Sequence, residues 1–341
     1  MTRVGGVAVI SAVCFSLAIS VSAVAEERLP RTLEILENAS AISTTPATDV
    51  LNDVAQSDTS IGTTLAYDEI VNGVQIQIPV KADSPISLET TAGNGIDVRL
   101  PFNEHASSAE TLSSGVVSFD HENDSISVPI VKDDGSLQIT TIIESSVAPS
   151  SYLYEVSLPA GGRIEQLQNG ALVLLDREGA FLAGIGAPWA KDATGADVLT
   201  HFVVDGNLIT QVVEHTRQPV TYPVVADPWL GVNLFARIWY DTYNGDLRVN
   251  VQKSAWGQYI HTPGPGQTIF WTAGWDELRT RAPRVLEKET LHQQYDCHVG
   301  GGFLDVAGPE WNLEKFRWNR TVDWTYGVAV HHCNWKTPNG V

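Results

Sequence analysis

Sulfur is nearly missing from this chain, with one methionine and three cysteines in 341 residues. Positive charge is short as well. Lys and Arg number 21 against 40 Asp and Glu, a formal net charge of −19. The deficit sits in one part of the chain. Residues 26–230 hold nine basic and twenty-nine acidic groups, a net of −20, whereas from Gly231 onward eleven face eleven. An acidic body repels polyphosphate, which argues against nucleic acid as a partner. It suits an exported chain kept in solution by its charge. Reaction signatures are missing too. There is no Gly-x-Ser-x-Gly elbow, no His-Glu-x-x-His, no phosphate loop and no calcium loop, so no named reaction and no cofactor is implied. Gly184-x-Gly186 runs into Ala187-Pro188-Trp189, a poor opening for a dinucleotide-binding helix, and reads as a turn.

What is present begins with an export signal. Arg3 precedes an uncharged apolar run, Val4 to Val21, and Ala23-Val24-Ala25 gives the small-x-small pattern for cleavage after Ala25. Residues 1–25 therefore read as a signal peptide. The run is close to the ~18–20 residues that span a bilayer, so an uncleaved anchor is the competing reading. Cys14 lies in the run, and Ser11-Ala12-Val13 before it does not fit a lipoprotein box. Cleavage leaves Cys297 and Cys333. An even pair in an oxidising compartment predicts one disulfide. In the chain-entropy model its loop of about 37 residues is worth roughly 3–4 kcal/mol. Two buried thiols or a shared metal site compete with it, but Cys-x-x-Cys spacing is lacking and no metal is assigned. The expected location is secreted, extracellular or cell-wall associated, with no membrane span after cleavage.

Residues 26–65 read as a flexible tether. Arg31 to Leu36 could form a short helix, but Ala39 to Thr64 is Ala, Ser, Thr and Asp without apolar period. Residues 66–228 read as a β-rich module. Val74, Ile76 and Ile78 alternate with Gln75 and Gln77, and Ile96 to Leu100 and Tyr152 to Val156 repeat the pattern. Asn72-Gly73, Asn94-Gly95, Asp134-Gly135, Asn169-Gly170 and Asp205-Gly206 supply the positive φ that tight hairpins need. No long helical period interrupts them. The fold class is therefore mainly β, an antiparallel sandwich or meander, followed by a small α+β domain with one disulfide, residues 231–341.

In that last domain Leu234 to Tyr240 and Leu247 to Val251 flank Asn244-Gly245 as a hairpin. Thr272 is a candidate cap for a helix through Ala282, stopped by Pro283. Thr290-x-x-Gln293 is a capping-box candidate. From it Leu291, Gln294, Tyr295 and His298 would share one helical face, ending at Gly300-Gly301-Gly302. Asp323 to His332 leans toward strand, with Trp324, Tyr326, Val328 and Val330 alternating, although a helix pinned by Cys333 fits too.

His298, His331 and His332 flank the cysteines, and a bridge would bring His298 and His332 together. Beside Asp296, Asp305, Glu310 or Glu314 they would suit acid–base chemistry or a metal. They would equally serve as structural residues beside the bridge. The catalytic candidates are His298, Glu314, Arg317 and His332. Eight of ten tryptophans, Trp311 and Trp318 among them, fall in this domain. They read either as core or as rings stacking on cell-wall or other glycans, with Trp311, Asn312 and Trp318 as ligand candidates. Arg279, Arg281 and Arg284 spread around a helix and read as a solvated face.

Two resemblances add to this. Leu158-Pro159-Ala160-Gly161, Ala187-Pro188-Trp189-Ala190, Gln211-Val212-Val213-Glu214-His215 and Val225-Ala226-Asp227-Pro228 look like the wording of a β-rich module of secreted actinobacterial proteins. That likeness covers roughly residues 115–228 and implies an export or carrier segment. Gly274-Trp275, Gln294 with Cys297-His298, Trp311-Asn312-Leu313-Glu314 with Arg317, and Cys333-Asn334 resemble an uncharacterised C-terminal domain of such proteins. Lys315 and Trp318 stand where that pattern has prolines. The resemblance implies no activity. It agrees with the disulfide and the domain border. The expected role is a non-catalytic extracellular binding module, with cell-wall glycan or another extracellular protein as partner. A secreted hydrolase-like enzyme or antibacterial effector is the alternative.

Overall fold

The computed structural model describes residues 17–56, 62–90, 93, 95–302 and 310–340, with residues 17–28 described by backbone alone. Arg3, Cys14, most of the leading apolar run, Asn94 and Asp305 lie outside the described residues. Helix α1 (Leu17–Ala41) passes through the expected cleavage site.

Among the described residues, twenty strands follow in chain order. They are β1 (Leu65–Val71), β2 (Val74–Pro79), β3 (Ile86–Thr90), β4 (Gly95–Arg99), β5 (Glu110–Ser113), β6 (Val116–Asp120), β7 (Ser125–Val131), β8 (Leu137–Ile143), β9 (Ser151–Val156) and β10 (Arg163–Gln166). Then come β11 (Leu172–Leu175), β12 (Phe181–Ile185), β13 (Ala190–Lys191), β14 (Thr200–Asp205), β15 (Leu208–Val213), β16 (Val224–Ala226), β17 (Trp229–Gly231), β18 (Phe235–Tyr243), β19 (Asp246–Lys253) and β20 (Glu310–Glu314). A seven-stranded sheet runs β1-β2-β3-β4-β9-β15-β14, and a ten-stranded sheet runs β10-β11-β12-β17-β8-β7-β6-β5 with β13 and β16 off that path. Pairing is antiparallel throughout. The turn residues do what their type allows: Asn72 and Gly73 (φ 48° and 78°) close β1–β2, and Asn244 and Gly245 (φ 51° and 76°) close β18–β19.

Inward residues of both sheets meet in one core, the sandwich arrangement. Ile76, Val98, Tyr152 and Ile209 come from one sheet and Phe119, Leu137, Ile139 and Leu172 from the other. The outer face of the larger sheet is covered as well. Ile126, Val128 and Ile130 of β7 pack with Val116 and Ile142 under Leu36 and Val50. The segment expected to be a flexible tether is therefore in large part a strap. Leu36 and Val50 are fully buried. Lys132 Nζ donates to the carbonyls of Val50 (2.7 Å) and Asn52 (2.9 Å), and Gln138 Nε2 donates to Ala47 O (2.9 Å). Composition missed this because a few apolar side chains suffice to hold a segment when a sheet face already offers them burial.

The other half of that outer face carries the C-terminal module. Val173, Leu175 and Trp229 of the sheet join Phe235, Trp256, Phe270, Leu291, Tyr295 and Trp311 in a second core. Here Gly184 is corrected from a turn to a strand residue of β12. A Cβ on it would overlap the Trp256 ring, and one on Gly231 would come within 2.6 Å of the same ring. The two glycines make a flat seat for Trp256. The module itself is the sheet β18-β19-β20 packed on helices α2 (Ala255–Ile260), α3 (Pro265–Ile269), α4 (Trp275–Arg281) and α5 (Glu289–Gly302). A π-helical turn, Phe270–Gly274, joins α3 to α4. The helix expected from Thr272 thus begins earlier, at Pro265. Segment 323–332 is not a strand but turns leading to a four-residue helix, α6 (Val328–His331). Thr290 and Gln293 do not form a capping box. Their side chains bond the carbonyls of Trp318 and Arg320 instead (3.0 and 3.2 Å).

Candidate functional site

Cys297 and Cys333 are bridged, with Cα atoms 5.6 Å apart. The bridge does not gather the expected set. His298 lies on the buried face of α5 with Leu291, Gln294 and Tyr295. Its ring stacks on Trp311, with centroids 5.7 Å apart and planes 11° apart. His332 is exposed and left-handed at φ 45°. Glu314 and Arg317 are buried against each other as an ion pair. Arg317 also donates to the carbonyls of Asn334 (2.8 Å) and Trp335 (3.0 Å), which fastens the chain beyond the bridge. His331 does the same locally. Its Nε2 donates to the Trp324 and Tyr326 carbonyls, both at 3.1 Å, and its Nδ1 accepts the Cys333 N–H at 3.0 Å. His298, Glu314, Arg317 and His332 therefore share no cleft, and three of the four are engaged in packing or ion pairing. Of the ligand candidates, Trp311 is core, Asn312 lies on the opposite face of β20, and Trp318 is 61% exposed. The arginines are also engaged: Arg279 with Asp276, Arg281 with Glu277, and Arg284 with Glu287.

A polar group that the sequence did not reveal surrounds Trp311. Lys253 is 4% exposed and stands 5.3 Å above the indole. Its ammonium faces His261 Nδ1 at 3.1 Å, and His261 Nε2 donates to Val299 O at 3.1 Å. His261 is thus the Nε2–H tautomer. Burial, reinforced by the Lys253 charge, lowers its pKa to about 3. Burial likewise lowers His298 to about 4, against a backbone contact with Asn312 that favours the charged ring. Among the described residues, neither His298 nitrogen reaches a partner at hydrogen-bond geometry. These imidazoles are neutral and closed off from solvent, which suits a core rather than a reaction site.

The accessible site is on the other flank of α5. Tyr295 creates it. Its hydroxyl enters where Gly274 has no Cβ, and donates to Phe270 O at 2.5 Å. Phe270 O also receives the Trp275 N–H, five residues on. A π-turn leaves carbonyls off the regular ladder, and such turns recur at functional sites. This one sets Trp271 and Trp275 beside α5. Trp271 is 37% exposed and its Nε1 donates to Asp296 O at 3.4 Å. Trp275 stacks on His292, with centroids 3.9 Å apart and planes 15° apart. His292 Nε2 stands 3.7 Å from Asp296 Oδ1. Burial raises the Asp296 carboxyl, and His292 opposes the rise. Two indoles, an imidazole and a carboxylate thus form one connected, half-exposed patch. The sequence signal was faint: Trp271 and Trp275 four apart, then His292 and Asp296 four apart, both helical spacings.

Among the described residues, no group of three or more His, Cys, Asp or Glu side chains gathers as a metal would require. No protein-family model matches the chain, and no curated protein matches it.

Proposed function

We propose that the chain is an exported, non-catalytic protein whose C-terminal module binds a glycan-type partner outside the cell through Trp271, Trp275, His292 and Asp296. The observation that carries the reading is that patch. The exposed Trp271 indole can take the apolar face of a sugar ring, Trp275 holds His292 beside it by stacking, and the Asp296 carboxylate accepts from hydroxyls. Export is supported by the signal pattern ending at Ala25 and by the bridge, which suits an oxidising compartment. Among the described residues no helix is long and apolar enough to cross a membrane.

The test is retention of the full chain on purified cell wall. Trp271→Ala and Trp275→Ala should each weaken retention about thirtyfold, the size of an aromatic hot spot, while His332→Ala leaves it unchanged. No retention of the parent protein, or equal retention of all variants, would overturn the reading. N-terminal sequencing of the secreted protein should begin at Glu26.

A further inference from the structure

Among the described residues the two long sheets of the β-rich body end in four terminal strands, and unpaired terminal strands invite association unless they are protected. Three of them are protected. β5 is irregular and runs beside α1. β10 is short and carries an Arg163–Glu165 ion pair at 2.7 Å. β1 is irregular at its start and bears Asp68 and Glu69. The fourth, β14, has regular register along its whole length, with no Pro, Lys or bulge. Its solvent face is apolar at the centre. Val203 is 50% exposed and lies in one row with Thr210 and Leu153, the latter 47% exposed.

We propose that β14 is a self-association edge, through which two copies pair antiparallel with the two-fold axis at Val203. The hairpin closes on Asp205 and Leu208. Alternation then turns the backbone groups of His201, Val203 and Asp205 toward β15, and those of Thr200, Phe202 and Val204 toward the open edge. An axis at Val203 sets Phe202 opposite Val204 of the second copy, so the outward groups meet each other. On the solvent face, Val203 meets its own equivalent. His201 meets Asp205 of the second copy, an imidazole that donates to a carboxylate. An axis one residue earlier, at Phe202, loses this match and sets His201 against Val203. Paired this way, the two seven-stranded sheets become one continuous sheet with an apolar stripe from Leu153 to Leu153.

The acidic bodies repel, so the dimer should strengthen as salt rises. Sedimentation equilibrium on the purified protein tests the pairing. A concentration-dependent dimer is expected, and Val203→Lys should weaken it at least about tenfold by placing like charges opposite one another, with an unchanged circular dichroism spectrum. Register is tested by cysteine placement in the chain that begins at Glu26, where Cys297 and Cys333 are already bridged. Val203→Cys should cross-link rapidly on mild oxidation, because facing residues at the axis lie within disulfide reach, whereas His201→Cys should not. A monomer up to the solubility limit, including one that binds only foreign peptides at this edge, overturns the proposal. Equal cross-linking by the two cysteine variants also overturns it.

Discussion

Trp256 is fully buried, and the reason lies in two residues without side chains. Its ring occupies the space a Cβ would take on Gly184 and Gly231, so the module seats on bare strand backbone. Gly184→Ala forces the indole or the strand to shift. Overpacking of this kind costs about 1–3 kcal/mol. Urea unfolding of Gly184→Ala should show a loss of that size. An unchanged midpoint would mean that Trp256 does not rest there. At this scale the sequence was easy to misread. A Gly-x-Gly inside a weak apolar stretch has the same letters whether it turns or makes room. The identity of the partner ring, 72 residues away from Gly184, is what separates the two.

The elements show where periodicity suffices. Hairpins at Asn72-Gly73, Asp134-Gly135, Asn169-Gly170, Asp205-Gly206 and Asn244-Gly245 were legible, because positive φ and alternation are local properties. Gly95, in contrast, opens β4 without positive φ, and Gly93 (φ 82°) supplies it for that turn. The strap over β7 was not, although a clue existed. Ile126, Val128 and Ile130 make the outer face of β7 apolar, and β7 is buried at every position. Segment 323–332 alternates like a strand but pairs with no strand among the described residues, and Tyr326 is 60% exposed. It is held instead by Arg320, whose guanidinium donates to Tyr326 O at 2.7 Å, and by the bridge. Replacing both Cys297 and Cys333 with Ala should therefore cost about 3–4 kcal/mol in the entropic account. Limited trypsin digestion should then cut at Arg320 and Lys336 before the body is touched. Equal resistance of the two proteins would show that Arg317 and Arg320 hold the segment alone.

At the scale of the molecule, the ten-stranded sheet is the middle layer. Its inner face meets the smaller sheet, and its outer face meets the strap and the C-terminal module. This burial leaves five histidines deep in the fold, His121, His215, His261, His298 and His331, and the three largest shifts belong to His121, His261 and His298. His121 and His298 are lowered to about 4 and His261 to about 3, chiefly by burial. In the unfolded chain such rings take a proton near pH 6.5. Above that pH they are neutral in both states and add no pH dependence. Below it the unfolded chain binds protons that the fold refuses, and each ring lowers stability by about 1.4 kcal/mol per pH unit until its folded pKa is reached. Asp227 acts in the other direction, since burial keeps its carboxyl protonated well above the usual range. Comparing His298→Phe with the parent cancels that contribution. The parent should lose about 1.4 kcal/mol more per pH unit between roughly pH 6 and 4.5, measured by urea unfolding. Parallel stability curves would place His298 in contact with solvent.

The chain's own letters determined what depends on neighbours: the alternation of strands, most of the turns and the acidic body beside a neutral module. They do so because pleat, turn φ and charge are set within a few residues. Tertiary structure decided which polar groups meet. His298 went to the core and His332 to solvent although the bridge joins their neighbours. Trp271 and Trp275 were carried to His292 and Asp296 by a π-turn that depends on Tyr295, 25 residues beyond Phe270. A site of that kind is made by the crossing of distant segments, and only packing specifies the crossing.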